Sequence, residues 1–281
     1  MVEETTTKKK SKPEPEKEMT FWEHLEELRW HLLRSIIAII VLGVVAFLNR
    51  HFIFDTVILA PKDSEFITNR LLCKAGEFLG LPNLCIDNLS LNIINIKMSG
   101  QFMVHMWTSI VAGIIVAFPY IIWEIWSFIR PALYPKERKH STGAVLISSA
   151  LFITGVLFAY FLIAPLTINF LGTYQVSDFV QNQVSLTSYI STVVSVTLGV
   201  GIVFELPIFV YFLTKVGMLT PDFMRKNRKY MIVILLIISA IITPPDVFSQ
   251  VLVVIPLMGL YELSISISKR VYRKRRIEMA G

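Results

Sequence analysis

Five glutamates lie where their neighbours leave a carboxylate little water. Glu205 sits inside the apolar run VTLGVGIVFELPIFVYF, where an ionised acid costs about 2.5 to 3.5 kcal/mol on insertion scales. Such a group either packs helices as a protonated or internally hydrogen-bonded acid, or it binds a cation or handles a proton. Pro207, two residues on, is expected to kink the helix and open a wet cavity there. Glu262, in MGLYELSISIS, and Glu124, between Trp123 and Trp126, fall near the ends of apolar runs. Solvation is the expected explanation for Glu124, and a structural or partner-contact role for Glu262. Glu27 and Glu137 differ in kind, because each occupies a short polar segment crowded by apolar and basic residues. Pairing with Arg29 and Arg138 accounts for them as solvated acids. Two surface carboxylates are equally what a peptide carrying two arginines needs, since a guanidinium binds a carboxylate through two parallel hydrogen bonds and an ammonium does not.

No other chemistry has a motif. The chain lacks GxxxxGK[ST], HExxH and GxSxG, and its five histidines (His24, His31, His51, His105, His140) share no ligand-like spacing. Nucleotide hydrolysis and intramembrane hydrolysis are both unsupported. The chain is read as a non-enzyme without cofactor or metal, so any energy for transport comes from elsewhere.

The elements that must position these acids are membrane spans. Of 281 residues 54% are hydrophobic and 17% charged, with a mean hydropathy of +0.60, outside the range of soluble domains. The net charge of +6 does not point to nucleic acid, because Lys and Arg cluster between apolar blocks instead of forming one face. Six blocks are expected to cross the bilayer: 32–54, 99–128, 141–171, 184–213, 230–242 and 251–267. Of the 27 Lys and Arg residues, 22 fall in 1–34, 130–139, 215–229 and from 269 on, leaving Arg50, Lys62, Arg70, Lys74 and Lys97 on the other side. That asymmetry puts both termini in the cytoplasm.

Residues 1–19 are expected to be a disordered cytoplasmic arm with no cleavable signal peptide, and 269–281 a basic cytoplasmic tail; the membrane domain is 20–268. Thr20 and Glu23 fit a capping box, and Phe21, Leu25, Leu28 and Leu32 recur as the apolar stripe of a helix. This helix is expected to lie on the membrane surface before turning into the first span, with Glu23, Glu27, His31 and Arg34 on its other face and Trp22 and Trp30 at the interface. The external loop, 55–97, holds the only two cysteines, Cys73 and Cys85. In an oxidising compartment they are expected to form a disulfide worth about 3 kcal/mol, with two reduced thiols as the alternative. The fifth block spans 13 residues, or about 20 Å of helix, against a hydrocarbon core of about 30 Å, and the sixth about 17 residues. Both are therefore expected to thin or tilt against the bilayer, which argues against a continuous pore.

Four motifs carry a family resemblance. His24-Leu25-Glu26-Glu27-Leu28-Arg29 precedes the first span, and Phe128-Ile129-Arg130-Pro131-Ala132-Leu133-Tyr134 with Glu137-Arg138 fills the first cytoplasmic loop. Phe204-Glu205-Leu206-Pro207 lies in the fourth span, and Thr243-Pro244-Pro245-Asp246-Val247-Phe248-Ser249-Gln250 precedes the sixth. In this order, from about residue 21 to 270, the chain resembles the TatC family, the receptor subunits of the twin-arginine protein translocase. The resemblance implies six helices in a concave, glove-like arrangement in a prokaryotic cytoplasmic membrane. It also implies capture of twin-arginine signal peptides of folded proteins, work with single-span TatA and TatB type partners and further copies of the chain, and export driven by the proton-motive force.

Residue by residue, it places the paired arginines on Glu27 and Glu137, with Leu25, Arg29, Phe128, Pro131 and Arg138 around them. Glu205 and Pro207 become intramembrane functional residues, and Pro61, Asp246, Gln250 and Glu262 structural or partner-contact candidates. The chain departs from its relatives at Trp30 and His31, where many carry further basic residues, and in an external loop that looks longer than usual. The rival function is a proton-coupled transporter of a small solute with Glu205 as its proton site, against which stand the lack of an internal repeat and the short last spans.

Overall fold

The computed structural model describes residues 21–63, 65–79, 92–129, 141–177, 179, 182–244 and 246–280. Helix α1, Phe21–Leu48, runs without interruption from the polar N-terminal segment through the first apolar block. The surface helix and the first span are thus one element, correcting the expected turn between them. Nothing from Glu23 to Arg34 breaks a helix, and Leu, Glu and Arg favour one. Leu25, Leu28 and Leu32 of the apolar stripe are exposed, while His24, Glu27 and His31 are partly buried on the side that meets α3 and Glu23 and Arg34 stay exposed.

After α1 come a π-helical turn, Phe52–Ile58, a 3-10 turn, Ala60–Lys62, and α2, Ile67–Leu79, an amphipathic helix in the connection between the first two spans. Strand β1, Ile93–Ile94, leads into α3, Gly100–Ile129. The third span is α4, Ser141–Phe158, a π turn at Ala159–Ile163, and α5, Ala164–Thr173. Strand β2, Val184–Ser185, pairs in parallel with β1 and hands over to α6, Leu186–Val203, whose first turn is capped by Ser185 Oγ accepting from the Ser188 N–H at 3.2 Å. The chain then runs through α7, Leu206–Val216, α8, Pro221–Lys226, α9, Arg228–Ile242, and α10, Val247–Ala280.

Among the described residues, five stretches are long and apolar enough to cross a membrane: Trp22–Leu48, Gly100–Ile129, Gly143–Thr173, Leu186–Val216 and Val247–Ile277. With Ile37, Ile40, Val41 and Val44 of α1 exposed, the molecule is a multi-pass membrane protein whose outer surface meets lipid. Helix α9 has 15 residues, about 22 Å, so the fifth block is short as expected. The sixth is not: α10 has 34 residues, about 51 Å. Its apolar run ends near residue 267, but the basic residues that follow are good helix formers and no breaker intervenes, so the basic tail extends the same helix.

Prolines punctuate the spans, and at Pro165 the freed carbonyl finds another donor. Pro165 has no N–H for the carbonyl of Phe161, and the hydroxyl of Thr68 in α2 donates to that oxygen instead. Tyr160 and Tyr189 donate to the carbonyls of Val57 and Ile58, at 2.7 and 3.0 Å, so α2 and the turns before it are tied onto the third and fourth spans. Pro207 breaks the fourth span, with Phe204 and Glu205 between α6 and α7. Gly217 ends α7 at a φ of 92°, and a side chain there would meet the guanidinium of Arg275 from α10.

The most extensive helix pair is α1 with α3. It is possible because a Cβ on Gly113 would lie 2.7 Å from the carbonyl oxygen of Ile39 and 2.8 Å from the backbone nitrogen of Gly43. The reciprocal Cβ on Gly43 meets nothing nearer than 3.4 Å. Gly113→Ala is therefore expected to lower stability by about 1 to 3 kcal/mol, and Gly43→Ala by clearly less, as read by thermal unfolding in detergent. Equal stability of the two variants would contradict a backbone-to-backbone contact at Gly113.

Candidate functional site

The N-terminal turns of α1 meet the C-terminal turns of α3, and the polar residues of both converge there. His24, Glu27, His31 and Arg34 recur every three or four residues on α1, as Tyr120, Glu124 and Phe128 do on α3. The His24 ring stacks on Phe128, with centroids 4.3 Å apart and planes 15° apart, and His31 meets the same ring edge-on at 6.1 Å. One turn deeper, His31 Nδ1 is hydrogen-bonded to Glu124 Oε2, and the Tyr120 hydroxyl donates to Glu124 Oε1 at 2.6 Å. Glu124 is only 1% exposed, so the expectation of a solvated acid is corrected. Its side chain points inward because partners on α1 and on its own helix take both oxygens.

Glu27 is the contrasting case. Its Oε2 is sheltered from solvent yet makes no hydrogen bond among the described residues, and His24 Nδ1 stands 4.0 Å away. Leu25 and Arg29 flank it on the exposed side. Pro131, Glu137 and Arg138 lie outside the described residues, in the segment that leaves α3 directly after Ile129.

Glu205 lies in the break between α6 and α7, 5% exposed. Ser148 of α4 donates to its Oε2 at 2.5 Å, while Oε1 has no partner among the described residues. A cavity of about 300 Å³ exists at another level of the bundle, between α3, α4, α6 and the turn at Phe52–Ile58. Its lining is apolar apart from Thr108, Tyr160 and Thr197, and Glu205 does not face it.

The remaining candidates have structural partners. Arg228 donates to Glu262 at 2.7 Å across a half-exposed pair, joining α9 to α10. Asp246 caps α10 by accepting from the Ser249 N–H at 2.6 Å. Gln250 donates to the Leu236 carbonyl, and its own carbonyl accepts from Ser239, both at 2.9 Å. The buried Pro61 offers its carbonyl to Asn69 at 3.3 Å. Cys73, in α2, is not a free thiol, and Cys85 lies outside the described residues. The sequence did not single out His31, Tyr120 or Ser148; the one available signal was that His31 follows Glu27 by four residues on the polar side of α1.

Comparison with known proteins bears on this arrangement. The family model described as TatC, Sec-independent protein translocase protein, matches residues 23–256. The Sec-independent protein translocase protein TatC of Blattabacterium sp. subsp. Periplaneta americana (strain BPLAN) is 44% identical over 92% of this chain and 98% of its own length. TatC of Aquifex aeolicus (strain VF5) is 36% identical over 92% and 98%. Among solved structures, the crystal structure of the twin arginine translocase receptor TatC has a TM-score of 0.69 and 35% identity, covering 89% of this chain and 99% of that one. A second, of the same receptor in DDM, has a TM-score of 0.71.

The geometry at Glu205 has a measurable consequence. Ser148→Ala removes the one described donor to the buried carboxylate and is expected to cost about 1 to 3 kcal/mol. Adding Glu205→Leu to that variant should recover much of the loss, because no buried acceptor remains. Thermal unfolding in detergent compares the two; a Ser148→Ala protein as stable as wild type would remove the hydrogen bond from the account.

Proposed function

This chain belongs to the TatC family of Sec-independent protein translocase proteins, and on that premise we propose that it captures twin-arginine signal peptides at the rim where α1 meets α3. The observation that carries this reading is the Glu27 carboxylate, held on a helix with its side chain 35% exposed and one oxygen, Oε2, shielded from solvent and without a hydrogen-bond partner among the described residues. A peptide guanidinium supplies what it lacks, a planar fork of donors with a full positive charge. The second arginine goes to Glu137, in the segment that follows α3. Leu25, Arg29, Phe128, Pro131 and Arg138 surround the two acids and shape the contact.

The rest of the proposal follows the same polarity. Both termini lie in the cytoplasm of a prokaryote, since 22 of 27 basic residues fall on that side of six crossings in a glove-like, concave bundle. Single-span TatA and TatB type partners dock along α9 and α10, where α9 covers only about 22 Å and the bilayer must thin or the helix be covered. Glu205 and Pro207 form an intramembrane polar point on the path of partner or signal helices. The chain binds and recruits, further copies join it, and the proton-motive force drives passage of the folded cargo. Proton-coupled transport of a small solute is disfavoured, because the described cavity is apolar and excludes Glu205.

Binding of a labelled twin-arginine peptide to the purified protein in lipid nanodiscs tests this reading. Loss of a charge-assisted hydrogen bond, about 1.5 to 3 kcal/mol, means Glu27→Ala should weaken binding roughly tenfold to a hundredfold, and replacing both peptide arginines by lysine should do the same to wild type. Unchanged affinity in both cases would contradict docking at Glu27.

A further inference from the structure

The first turns of α1 have little apolar packing of their own. Among residues 22–34 only His24, Glu27 and His31 are even partly buried, and Leu25, Leu28, Trp30, Leu32 and Leu33 are all exposed. The first fully buried residue of the helix is Ser35, whose hydroxyl turns back to the His31 carbonyl. Three polar side chains therefore define how this segment sits against α3.

Their contacts form consecutive rungs. His24 stacks on Phe128, and His31, seven residues on, binds Glu124, four residues before Phe128. Glu27 lies between the two rungs on the same face of an unbroken helix. Stacking of one partly buried pair of rings is weak and tolerates sliding, whereas a hydrogen-bonded pair whose carboxylate is 1% exposed is held more tightly. Rotation of α1 that broke the deeper rung would carry His24 and Glu27 away with it.

We propose that His31 and Glu124 are positioning residues for the docking site: their buried pair sets the rotation of α1 against α3, and so holds Glu27 and the His24–Phe128 stack where an arginine can reach them. The proposal rests on the reading that Glu27 receives a guanidinium. Tyr120, which takes the second oxygen of Glu124, keeps that carboxylate from turning away from His31. The pair touches no ligand, and it acts through the helix.

The test uses the full-length protein in nanodiscs with 4-fluorophenylalanine at position 128, whose fluorine resonance reports the His24 stack without any peptide. His31→Ala and Glu124→Gln should each move that resonance and weaken twin-arginine peptide binding at least tenfold. The exchange variant, His31→Glu with Glu124→His, rebuilds the pair and should return both readouts, the affinity to within about threefold of wild type. Should Glu124→Gln fail to fold, Glu124→Asp withdraws the carboxylate by one methylene and should give the same losses. A folded His31→Ala protein with an unmoved resonance, or a folded exchange variant that still binds poorly, would overturn the proposal. If wild type does not prefer arginine to lysine peptides, the docking reading fails alone, and the fluorine resonance still decides whether the pair sets the helix.

Discussion

A carboxylate inside hydrocarbon must find its partners within the chain, and the layout of this protein follows from how each acid meets that demand. Burial there costs a few kcal/mol, comparable to one or two charge-assisted hydrogen bonds. Glu124 has a partner on each oxygen, His31 and Tyr120. Glu205 has Ser148 on one oxygen and keeps the other unpartnered among the described residues. Glu27, at the rim and 35% exposed, has one shielded oxygen, Oε2, without a hydrogen bond among the described residues.

The backbone obeys the same rule. At Pro165, where a helical donor is missing, the hydroxyl of Thr68 steps in at the Phe161 carbonyl. With the bonds from Tyr160 and Tyr189 to Val57 and Ile58, it ties the segment between the first two spans to the third and fourth, while the Gly43–Gly113 approach and the His31–Glu124 pair join the first to the second. The rim is thus carried on a helix pair fixed at two depths. The last helix, by contrast, projects a basic extension well past any hydrocarbon thickness.

Element by element, the helices were legible because apolar blocks of membrane length have few other readings. The break at Pro207 and the shortness of α9 were legible for the same local reason, a proline and a count of residues. What escaped the sequence was pairing at a distance. Glu124 between two tryptophans looks like an interfacial acid until His31, 93 residues away, is placed beside it, and Ser148 is one serine among many until Glu205, 57 residues on, turns toward it. The amphipathic stripe of α1 left its other side unexplained: the leucines are exposed, and His24 and His31 meet α3. The length of α10 was missed because hydropathy ends where lipid ends, whereas a helix ends where its backbone meets a breaker.

The central claim is that the paired arginines meet the α1–α3 rim, and mapping that contact on the unaltered protein tests it most directly. A twin-arginine peptide carrying a photoreactive residue beside the arginines would be bound in nanodiscs, irradiated, and its attachment points on the chain read by mass spectrometry. Attachment within residues 22–31 and 124–138 is the result expected. Attachment confined to α9 and α10, or to the external segment, with the rim untouched, would contradict the account.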